Sequence, residues 1–340
     1  MSEPAAPALH YPEGDLEGGP PIFVGGIPRN GTTLTARLLG SHSEIALPPA
    51  ELGFFDKSWQ PGDDPWRPME GRAELERRLK TLVERNVLEW GLTADEVYAA
   101  ARTLRPTHRD LFVFLLDLYR RRVGKSRLAE KSINYQRWLY VLDAWFEDYR
   151  FVHVIRHPID AFASLKWFER GLPVPVRIDL VPWIHEWNRS ATVALHRSHA
   201  RPDRYCYVRY EDLVQRPLDV LERVCRVVGV TPEPERMLEM AGFESPDNSS
   251  FESESARYDG RIRRSDSVER AQRIDRRELE AIRSACAPLA HLLGYEGLVP
   301  PRTRRGRLGQ PLPGKLPRKV AAAFVAKRLR ERARGLSRRR

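Results

Sequence analysis

IFVGGIPRNGTT, residues Ile22–Thr33, is the stretch that determines how the rest of this chain is interpreted. Its first four residues predict a short buried strand, Gly26 and Gly31 bracket a turn, and Thr32 and Thr33 open a predicted helix. Such an arrangement presents backbone N–H groups and a partial positive charge to an anion. Loops that bind nucleoside triphosphates carry lysine where this chain has Thr32. The stretch therefore predicts a phosphate-binding loop for a different anionic ligand; the alternative is a tight turn whose glycines serve packing alone.

A second predicted strand, FVHVI at Phe151–Ile155, is followed directly by an arginine, Arg156. The corresponding strand of a nucleoside triphosphatase ends in an aspartate that helps to hold magnesium. An arginine at this place would repel a metal ion and attract a second phosphate. The two strand ends together therefore predict a ligand with two separate anionic groups and no bound metal.

Strands and helices alternate along residues 20–298, which we predict to form one domain. Further strands are predicted in RLAEKS (Arg127–Ser132) and YCYVRY (Tyr205–Tyr210). Apolar residues at helical spacing, together with start and stop signals, predict helices over 33–40, 72–90, 110–123, 135–149, 211–228 and 275–293. Thr93 and Glu96 form a predicted capping box. This alternation predicts an α/β fold with a central, mostly parallel sheet and helices on both of its faces.

Charge is distributed unevenly along the 340 residues. Residues 301–340 contain fifteen Lys or Arg and one acid, Glu331, a net charge of +14, so the rest of the chain carries −3 of the total of +11. We expect residues 1–19 to be a flexible leader and residues 299–340 to be a basic tail. That tail is either disordered or an amphipathic helix in weak contact with anionic membranes. Nucleic-acid binding is not expected, because the body lacks a basic patch interleaved with aromatic residues.

The cysteines and the N-terminus predict a cytoplasmic protein. Cys206, Cys225 and Cys286 are odd in number, far apart and without the spacing of a metal site, so we interpret them as buried thiols. The first residues lack the basic start and apolar block of a signal peptide. No apolar run approaches the roughly 20 residues needed to span a bilayer.

Three ordered motifs resemble those of sulfotransferases that use 3′-phosphoadenosine 5′-phosphosulfate (PAPS). GGIPRNGTT resembles their 5′-phosphosulfate loop, and VIRHPIDAFAS resembles their 3′-phosphate motif, in which a serine follows the arginine by eight residues. YVRYEDLVQRP resembles the RYEDL-type segment that comes next in the family. The chain is most similar to the tyrosylprotein and heparan-sulfate type enzymes and their bacterial relatives over about residues 20–298. This resemblance implies a P-loop-like, three-layer fold.

The resemblance implies PAPS as the co-substrate and assigns residues to it. The 5′-phosphosulfate would be held by the loop residues Arg29, Asn30, Gly31, Thr32 and Thr33. Asn30 stands where the family often has Ser or Lys. Arg156 and Ser164 would hold the 3′-phosphate, and Tyr210 would line the nucleotide site. The alternatives are an ion pair of Arg156 with Asp160 and a core position for Tyr210.

The catalytic groups are also implied by the resemblance. Glu51 lies in PAELGFFD, which resembles the E-x-x-F-F segment of heparan-sulfate sulfotransferases, whose Glu deprotonates the acceptor. Lys131, in AEKSINY, resembles the family lysine that stabilises the leaving group. The alternatives are a Glu51 that caps the next turn, a rival base at Glu44, and a Lys131 that is a surface charge paired with Glu130.

The sequence thus predicts a PAPS-dependent sulfotransferase that acts on a hydroxyl acceptor by in-line displacement with a Glu general base. The acceptor would be a sugar, a tyrosine, a lipid or a small metabolite. The alternatives are a P-loop kinase or nucleotide hydrolase, and a non-catalytic nucleotide- or membrane-surface-binding protein.

Other residues are given structural or peripheral interpretations. Loops 57–71, 99–110 and 166–182 are predicted to shape the acceptor pocket. An arginine cluster, Arg261, Arg263 and Arg264, is interpreted as a solvated face. The remaining conspicuous side chains are interpreted as structural, namely His153, His157, Trp183 and Trp187.

Overall fold

Five parallel strands form the centre of the molecule. The structure, a computed structural model, describes residues 9–12, 16–59, 63–170, 179–240, 274–296 and 298. The strands lie side by side in the order β2-β3-β1-β4-β5, and every neighbouring pair is parallel. Their bounds are Ile22–Gly25 (β1), Ile45–Ala46 (β2), Arg127–Lys131 (β3), Arg150–Ile155 (β4) and Tyr205–Arg209 (β5). The predicted central parallel sheet is confirmed.

Eleven α-helices of the described residues connect and cover the strands. Their bounds are Thr32–Gly40 (α1), Arg72–Arg85 (α2), Ala94–Ala100 (α3), His108–Val123 (α4), Leu139–Trp145 (α5), Pro158–Arg170 (α6), Leu180–Ala200 (α7), Tyr210–Gln215 (α8), Pro217–Val228 (α9), Pro234–Met240 (α10) and Arg276–Leu292 (α11). A π-helical turn at Phe54–Ser58 and short 3-10 turns at Val87–Trp90, Ala101–Thr103 and Tyr135–Arg137 complete the regular structure.

Strand β1 lies between two apolar cores because successive side chains of a strand point to opposite faces. Phe23 packs among buried residues of α2, α4 and α5. Ile22 and Val24 pack among those of α1, α9 and α10. A third cluster joins α6, α7 and α11 around Ile27 and Ile155. Helices therefore cover both faces of the sheet, as predicted for a three-layer fold.

Two predicted helices are shorter than expected. The helix predicted over 72–90 ends at Arg85, and the next residue, Asn86, uses its side-chain amide to donate to the carbonyl oxygens of Glu51 and Leu52 at 2.5 and 2.6 Å. The helix predicted over 135–149 is a 3-10 turn followed by α5. Trp138 separates the two segments: its φ is −115°, and its ring stacks on that of Phe55. Tertiary contacts decide both interruptions.

The other boundaries are close to those predicted. The helix predicted after β5 is divided at Arg216 and Pro217 into α8 and α9. Thr93 and Glu96 form the predicted capping box at the start of α3.

In the described ranges, no helix combines the length and the hydropathy needed to cross a bilayer. The predicted basic tail, the arginine cluster at 261–264 and most of the predicted leader lie outside the described residues.

Candidate active site

The loop between β1 and α1 has a backbone that favours glycine at two positions. Gly26 has a φ of +155° and Gly31, which precedes α1, a φ of +97°. Arg29 is one of two described non-glycine residues with positive φ, at +68°. L-residues adopt this region at a cost, so it is found mostly where the surrounding structure imposes it. The loop therefore has a defined shape directly before the N-terminus of α1, where the first backbone N–H groups of a helix have no partner within the helix.

Asn30 attaches this loop to the neighbouring strand. Its side chain is fully buried, and Nδ2 donates to the carbonyl oxygen of Val154 on β4 at 3.1 Å. The buried Oδ1 has no hydrogen-bond partner. The side chain of this predicted ligand residue thus lies against the sheet, where it holds the loop in place.

Arg29 and Arg156 lie side by side at the carboxyl ends of β1 and β4. Nη1 of Arg156 donates to the carbonyl oxygen of Arg29 at 3.3 Å, and Nε of Arg29 donates to Oγ of Ser164 at 3.2 Å. Arg156 and Ser164 are both buried. Two guanidinium groups and one hydroxyl from the loop, β4 and α6 therefore meet at one edge of the sheet, as the sequence predicts.

Tyr210 joins the loop to Arg156. The Arg156 guanidinium lies over the Tyr210 ring, 4.4 Å from its centroid. The same ring packs so closely on Gly31 that an added Cβ there would lie 2.4 Å from Cδ2 of Tyr210. The first residue of α8 therefore supports both the loop and the second arginine.

A half-buried carboxylate that the motifs were not used to assign holds the main chain beside Arg156. Glu211 accepts a hydrogen bond from the backbone N–H of His157 at 2.9 Å and another from the hydroxyl of Tyr295 at 3.0 Å. Burial raises the pKa of Glu211. Nε1 of Trp187 donates to the carbonyl oxygen of Arg156 at 3.0 Å. Glu211 is part of the RYED motif, which is the signal that could have identified it.

The predicted catalytic residues form an ion pair. Nζ of Lys131, at the end of β3, is hydrogen-bonded to Oε1 of Glu51. Lys131 is in register with Val24 of β1, whose side chain faces α1. Because in-register neighbours of a parallel sheet point to the same face, Lys131 lies on the face where α1 begins. The pair is therefore beside the phosphate loop.

The alternative partner of Lys131 is not the one observed. Glu130 is in register with Phe23 and points to the opposite face, where its carboxylate accepts hydrogen bonds from the Tyr135 hydroxyl and from the Leu52 N–H. Pairing of Lys131 with Glu130 as a surface charge was therefore wrong, because consecutive residues of a strand diverge.

The rival base, Glu44, is at the other edge of the sheet. It precedes β2, and its carbonyl oxygen accepts from the N–H of Arg127, the first residue of β3, at 2.9 Å. All strands are parallel, so Glu44 lies at their amino ends and Glu51 beyond their carboxyl ends. Only Glu51 of these two is on the side of the phosphate loop.

Aromatic side chains gather around Phe55, in the segment that follows Glu51. Phe55 stacks on Trp138 with ring centroids 5.2 Å apart and on Trp145 at 5.9 Å. The ring of Trp59 contacts those of Phe55 and Trp138.

Of the loops predicted to shape the acceptor pocket, residues 60–62 and 171–178 lie outside the described residues.

The two remaining predicted structural residues of β4 and α7 behave as expected. His153 is fully buried, with Nδ1 2.6 Å from the Tyr205 hydroxyl and Nε2 2.8 Å from Oγ of Ser190. Burial lowers the pKa of His153 to about 3. Trp183 is buried in the cluster of α6, α7 and α11.

Fold and site together define the class of this protein. A five-stranded parallel sheet with a glycine-containing loop, neighbouring arginines and a Glu–Lys pair at its carboxyl edge is a P-loop-like α/β architecture. Within this class, the model of the Sulfotransferase family matches residues 20–234. The chain belongs to that family, and the predicted resemblance is confirmed.

Known proteins of similar sequence and fold are also sulfotransferases by description. A Caenorhabditis briggsae protein described as "Putative protein-tyrosine sulfotransferase" is 25% identical over 211 residues, which are 60% of this chain and 63% of that protein. This chain therefore spans less than two thirds of that relative. The sulfotransferase domain of the Synechococcus PCC 7002 olefin synthase has a TM-score of 0.50 at 20% identity, over 84% of this chain and 98% of that domain. The sulfotransferase domain from the curacin biosynthetic pathway has a TM-score of 0.49 at 20% identity, over 82% and 98%.

Proposed function

We propose that this protein transfers the sulfuryl group of PAPS to a hydroxyl acceptor. The observation that carries the proposal is the meeting of Arg29, Arg156 and Ser164 at the carboxyl edge of the sheet, directly beside the N-terminus of α1. Ligands of open parallel sheets bind outside the carboxyl ends of the strands. A nucleotide with anionic groups at both its 3′ and 5′ positions suits two neighbouring guanidinium groups.

The donor fits residues that are already arranged. Backbone N–H groups at the start of α1 and the hydroxyls of Thr32 and Thr33 would hold the 5′-phosphosulfate together with Arg29. Arg156 and Ser164 would hold the 3′-phosphate. Tyr210 would act mainly through its support of Arg156 and Gly31. When bound, the donor supplies the sulfuryl group and a phosphate leaving group.

The Glu51–Lys131 pair provides the groups that the transfer requires. Glu51 accepts the proton of the acceptor hydroxyl while the acceptor oxygen forms a bond to sulfur. The bond from sulfur to the bridging phosphate oxygen breaks, and the leaving nucleotide keeps the electron pair. Lys131 neutralises the charge that grows on that oxygen. The partial exposure of both side chains keeps them accessible to a ligand.

Titration with the product nucleotide tests the donor assignment. We expect 3′-phosphoadenosine 5′-phosphate to bind more tightly than AMP, because AMP lacks the 3′-phosphate that Arg156 and Ser164 would hold. Incubation with PAPS and a panel of hydroxyl acceptors tests the transfer; the description of the C. briggsae relative puts tyrosine-containing peptides first in that panel. Equal affinity for AMP, or magnesium-dependent turnover of ATP, would contradict the proposal and favour a kinase or hydrolase.

Two substitutions separate binding from chemistry. Arg156→Ala should weaken binding of 3′-phosphoadenosine 5′-phosphate by about 10- to 100-fold, the usual cost of a lost charge-assisted hydrogen bond. Glu51→Ala should lower turnover by about 100- to 10,000-fold, the usual contribution of a general base, while nucleotide affinity changes little. Glu44→Ala is the matched control at the opposite edge of the sheet and should change neither. Equal loss of binding and turnover in Glu51→Ala would contradict its assignment as the base.

A further inference from the structure

Glu130 is a buried carboxylate immediately behind the proposed catalytic pair. Its side chain is 1% exposed and lies under the sheet, on the face opposite that of Lys131. Oε1 accepts a hydrogen bond from the N–H of Leu52 at 3.2 Å, and Oε2 accepts one from the hydroxyl of Tyr135. The Tyr135 ring is itself buried between Phe23 and Phe55. A carboxyl group in such apolar surroundings needs a specific reason to be there.

The hydrogen bond to Leu52 fixes the main chain of the proposed base. Leu52 directly follows Glu51, so its N–H belongs to the peptide group that joins the two residues. The carbonyl oxygen of that same peptide accepts from Nδ2 of Asn86 at 2.5 Å. Glu130 and Asn86 therefore hold one peptide group from both of its sides. The side chain of Glu51 extends from this held peptide group and places its carboxylate next to Lys131.

Glu130 is also placed to change its charge near neutral pH. Burial, the largest cause, and the negative charge of Glu51 both raise the pKa of Glu130, which is about 8. Hydrogen bonds from Tyr135 and Leu52 and the positive charge of Lys131 act in the opposite direction. Tyr135 stays protonated, because burial and Glu130 raise its pKa well above the ordinary value. The neutral form of Glu130 is therefore favoured at pH 7.

We infer that Glu130 is a positioning residue of this site: its buried carboxyl fixes the main chain of Glu51, and its ionisation adds a negative charge behind the Glu51–Lys131 pair. The inference rests on the proposed function, in which that pair takes the acceptor proton and neutralises the leaving group. The added charge attracts Lys131 and opposes the charge that develops on the leaving phosphate. The site is therefore most active while Glu130 is neutral.

The variant Glu130→Gln tests both parts of the inference. Glutamine keeps an oxygen that can accept from the Leu52 N–H, and it stays neutral at every pH. The ratio of variant to wild-type turnover, with PAPS and a tyrosine-containing peptide, should rise about threefold or more between pH 7 and pH 9.5. Taking the ratio removes the effect of ionisation of the acceptor itself. A ratio that is constant with pH would contradict the charge effect.

Carboxyl-carbon NMR of glutamate-labelled protein tests the same point without an acceptor. One resonance should titrate near pH 8 and be missing from Glu130→Gln. The Glu51 resonance, identified by its loss in Glu51→Gln, should show an inflection at that same pH in the wild type and not in Glu130→Gln. A Glu51 resonance that does not change between pH 7 and pH 9 would overturn the inference. In Tyr135→Phe the midpoint should move to higher pH, because a hydrogen bond that favours the charged form is lost.

Amide exchange tests the positioning. The Leu52 N–H should exchange at least about tenfold faster in Glu130→Ala than in the wild type, and Glu130→Gln should restore most of the protection. Equal protection in all three proteins would overturn the positioning role. Titration with 3′-phosphoadenosine 5′-phosphate keeps the two proposals apart. If the wild type does not bind that nucleotide, the proposed function fails, whereas the NMR and exchange results still decide what Glu130 does to Glu51.

Discussion

Gly31 shows how one residue limits the sequence of the phosphate loop. Its φ of +97° is strained for any residue with a Cβ, and an added Cβ would lie 2.4 Å from the Tyr210 ring. That ring supports the Arg156 guanidinium. A larger residue at position 31 therefore displaces two further side chains of the proposed nucleotide site.

We predict that Gly31→Ala lowers both the stability and the nucleotide affinity of the protein. The strain of a non-glycine residue at positive φ costs about 1–2 kcal/mol, and movement of Tyr210 and Arg156 should weaken binding of 3′-phosphoadenosine 5′-phosphate by at least about tenfold. Denaturant unfolding and nucleotide titration measure the two effects.

Gly124→Ala is the matched control for this prediction. Gly124 ends α4 with a φ of +66°, and an added Cβ there would have no atom within 4 Å. The Gly124→Ala variant should have a lower free energy of unfolding, because alanine is strained at positive φ. Its affinity for 3′-phosphoadenosine 5′-phosphate should not change. If Gly31→Ala lost no more affinity than Gly124→Ala, the proposed support of Arg156 by Tyr210 would be wrong.

Single residues were predictable to different degrees. The motifs identified Arg29, Arg156 and Ser164, and the structure brings these three together. The partner of Lys131 was not predictable from its neighbours in sequence, because Glu130 points to the other face and the observed partner, Glu51, is 80 residues away. A Glu and a Lys that are neighbours in the sequence of a strand point to opposite faces, so their adjacency does not predict an ion pair between them.

At the scale of elements, the sequence predicted which segments are helices and strands better than where they end. Helix α2 ends before Asn86 because the side-chain amide of Asn86 donates a hydrogen bond to the carbonyl oxygen of Glu51. No sequence pattern within 72–90 predicts that contact. Trp138 interrupts the helix predicted over 135–149 because six aromatic rings, its own among them, pack around Phe55. Both interruptions lie at the proposed site, where tertiary contacts outweigh local helix preference.

His153 joins three elements and should make stability depend on pH. It lies on β4, and its ring contacts Tyr205 of β5 and Ser190 of α7. Its pKa in the folded protein is about 3, against about 6.5 in an unfolded chain. Between these values the unfolded state binds the additional proton, so the free energy of unfolding falls as pH decreases below about 6.5, by at most about 1.4 kcal/mol per unit.

We predict that His153→Gln makes this pH dependence shallower between pH 6.5 and pH 4.5, because the proton-binding group is removed. The variant should be less stable at pH 7, since one of the two hydrogen bonds of the ring is lost. Denaturant unfolding at several pH values measures both effects. His199→Gln, an exposed position on α7, is the control and should retain the wild-type slope. A His153→Gln protein with the same slope as the wild type would show that this histidine does not resist protonation.

For the whole molecule, the parallel sheet explains why distant motifs form one site. The phosphate loop, Arg156 and Tyr210 each follow a different strand, and Lys131 is the last residue of a fourth. Parallel strands bring their carboxyl ends to one edge. The alternation of strands and helices was sufficient to predict this arrangement. The order β2-β3-β1-β4-β5 was not predictable from that alternation, because it depends on which strands pair across the sheet.

We propose that the basic tail, residues 299–340, acts separately from the nucleotide site. Removal of residues 301–340 takes away a net charge of +14 and none of the residues assigned to the donor. The shortened protein should bind 3′-phosphoadenosine 5′-phosphate within about twofold of the full chain. It should bind phosphatidylserine-containing vesicles more weakly in sedimentation assays.

High salt is the control for this experiment. Vesicle binding by the full chain should fall at 0.5 M salt, whereas zwitterionic vesicles should bind neither protein. A shortened protein that folds normally but no longer binds the nucleotide would contradict the separation. It would favour a role of the tail in the site itself.

Asn30 ties the phosphate loop to β4 from inside the protein, so folding shapes this loop in advance of any ligand. Little conformational entropy is then lost at encounter, and the ordering cost belongs to the folding reaction. Under the proposed function, the rate of association then depends on diffusion and on the attraction between the anionic nucleotide and the two arginines. A loop shaped in advance should therefore discriminate against nucleotides whose anionic groups are spaced differently, because its binding groups already have fixed positions.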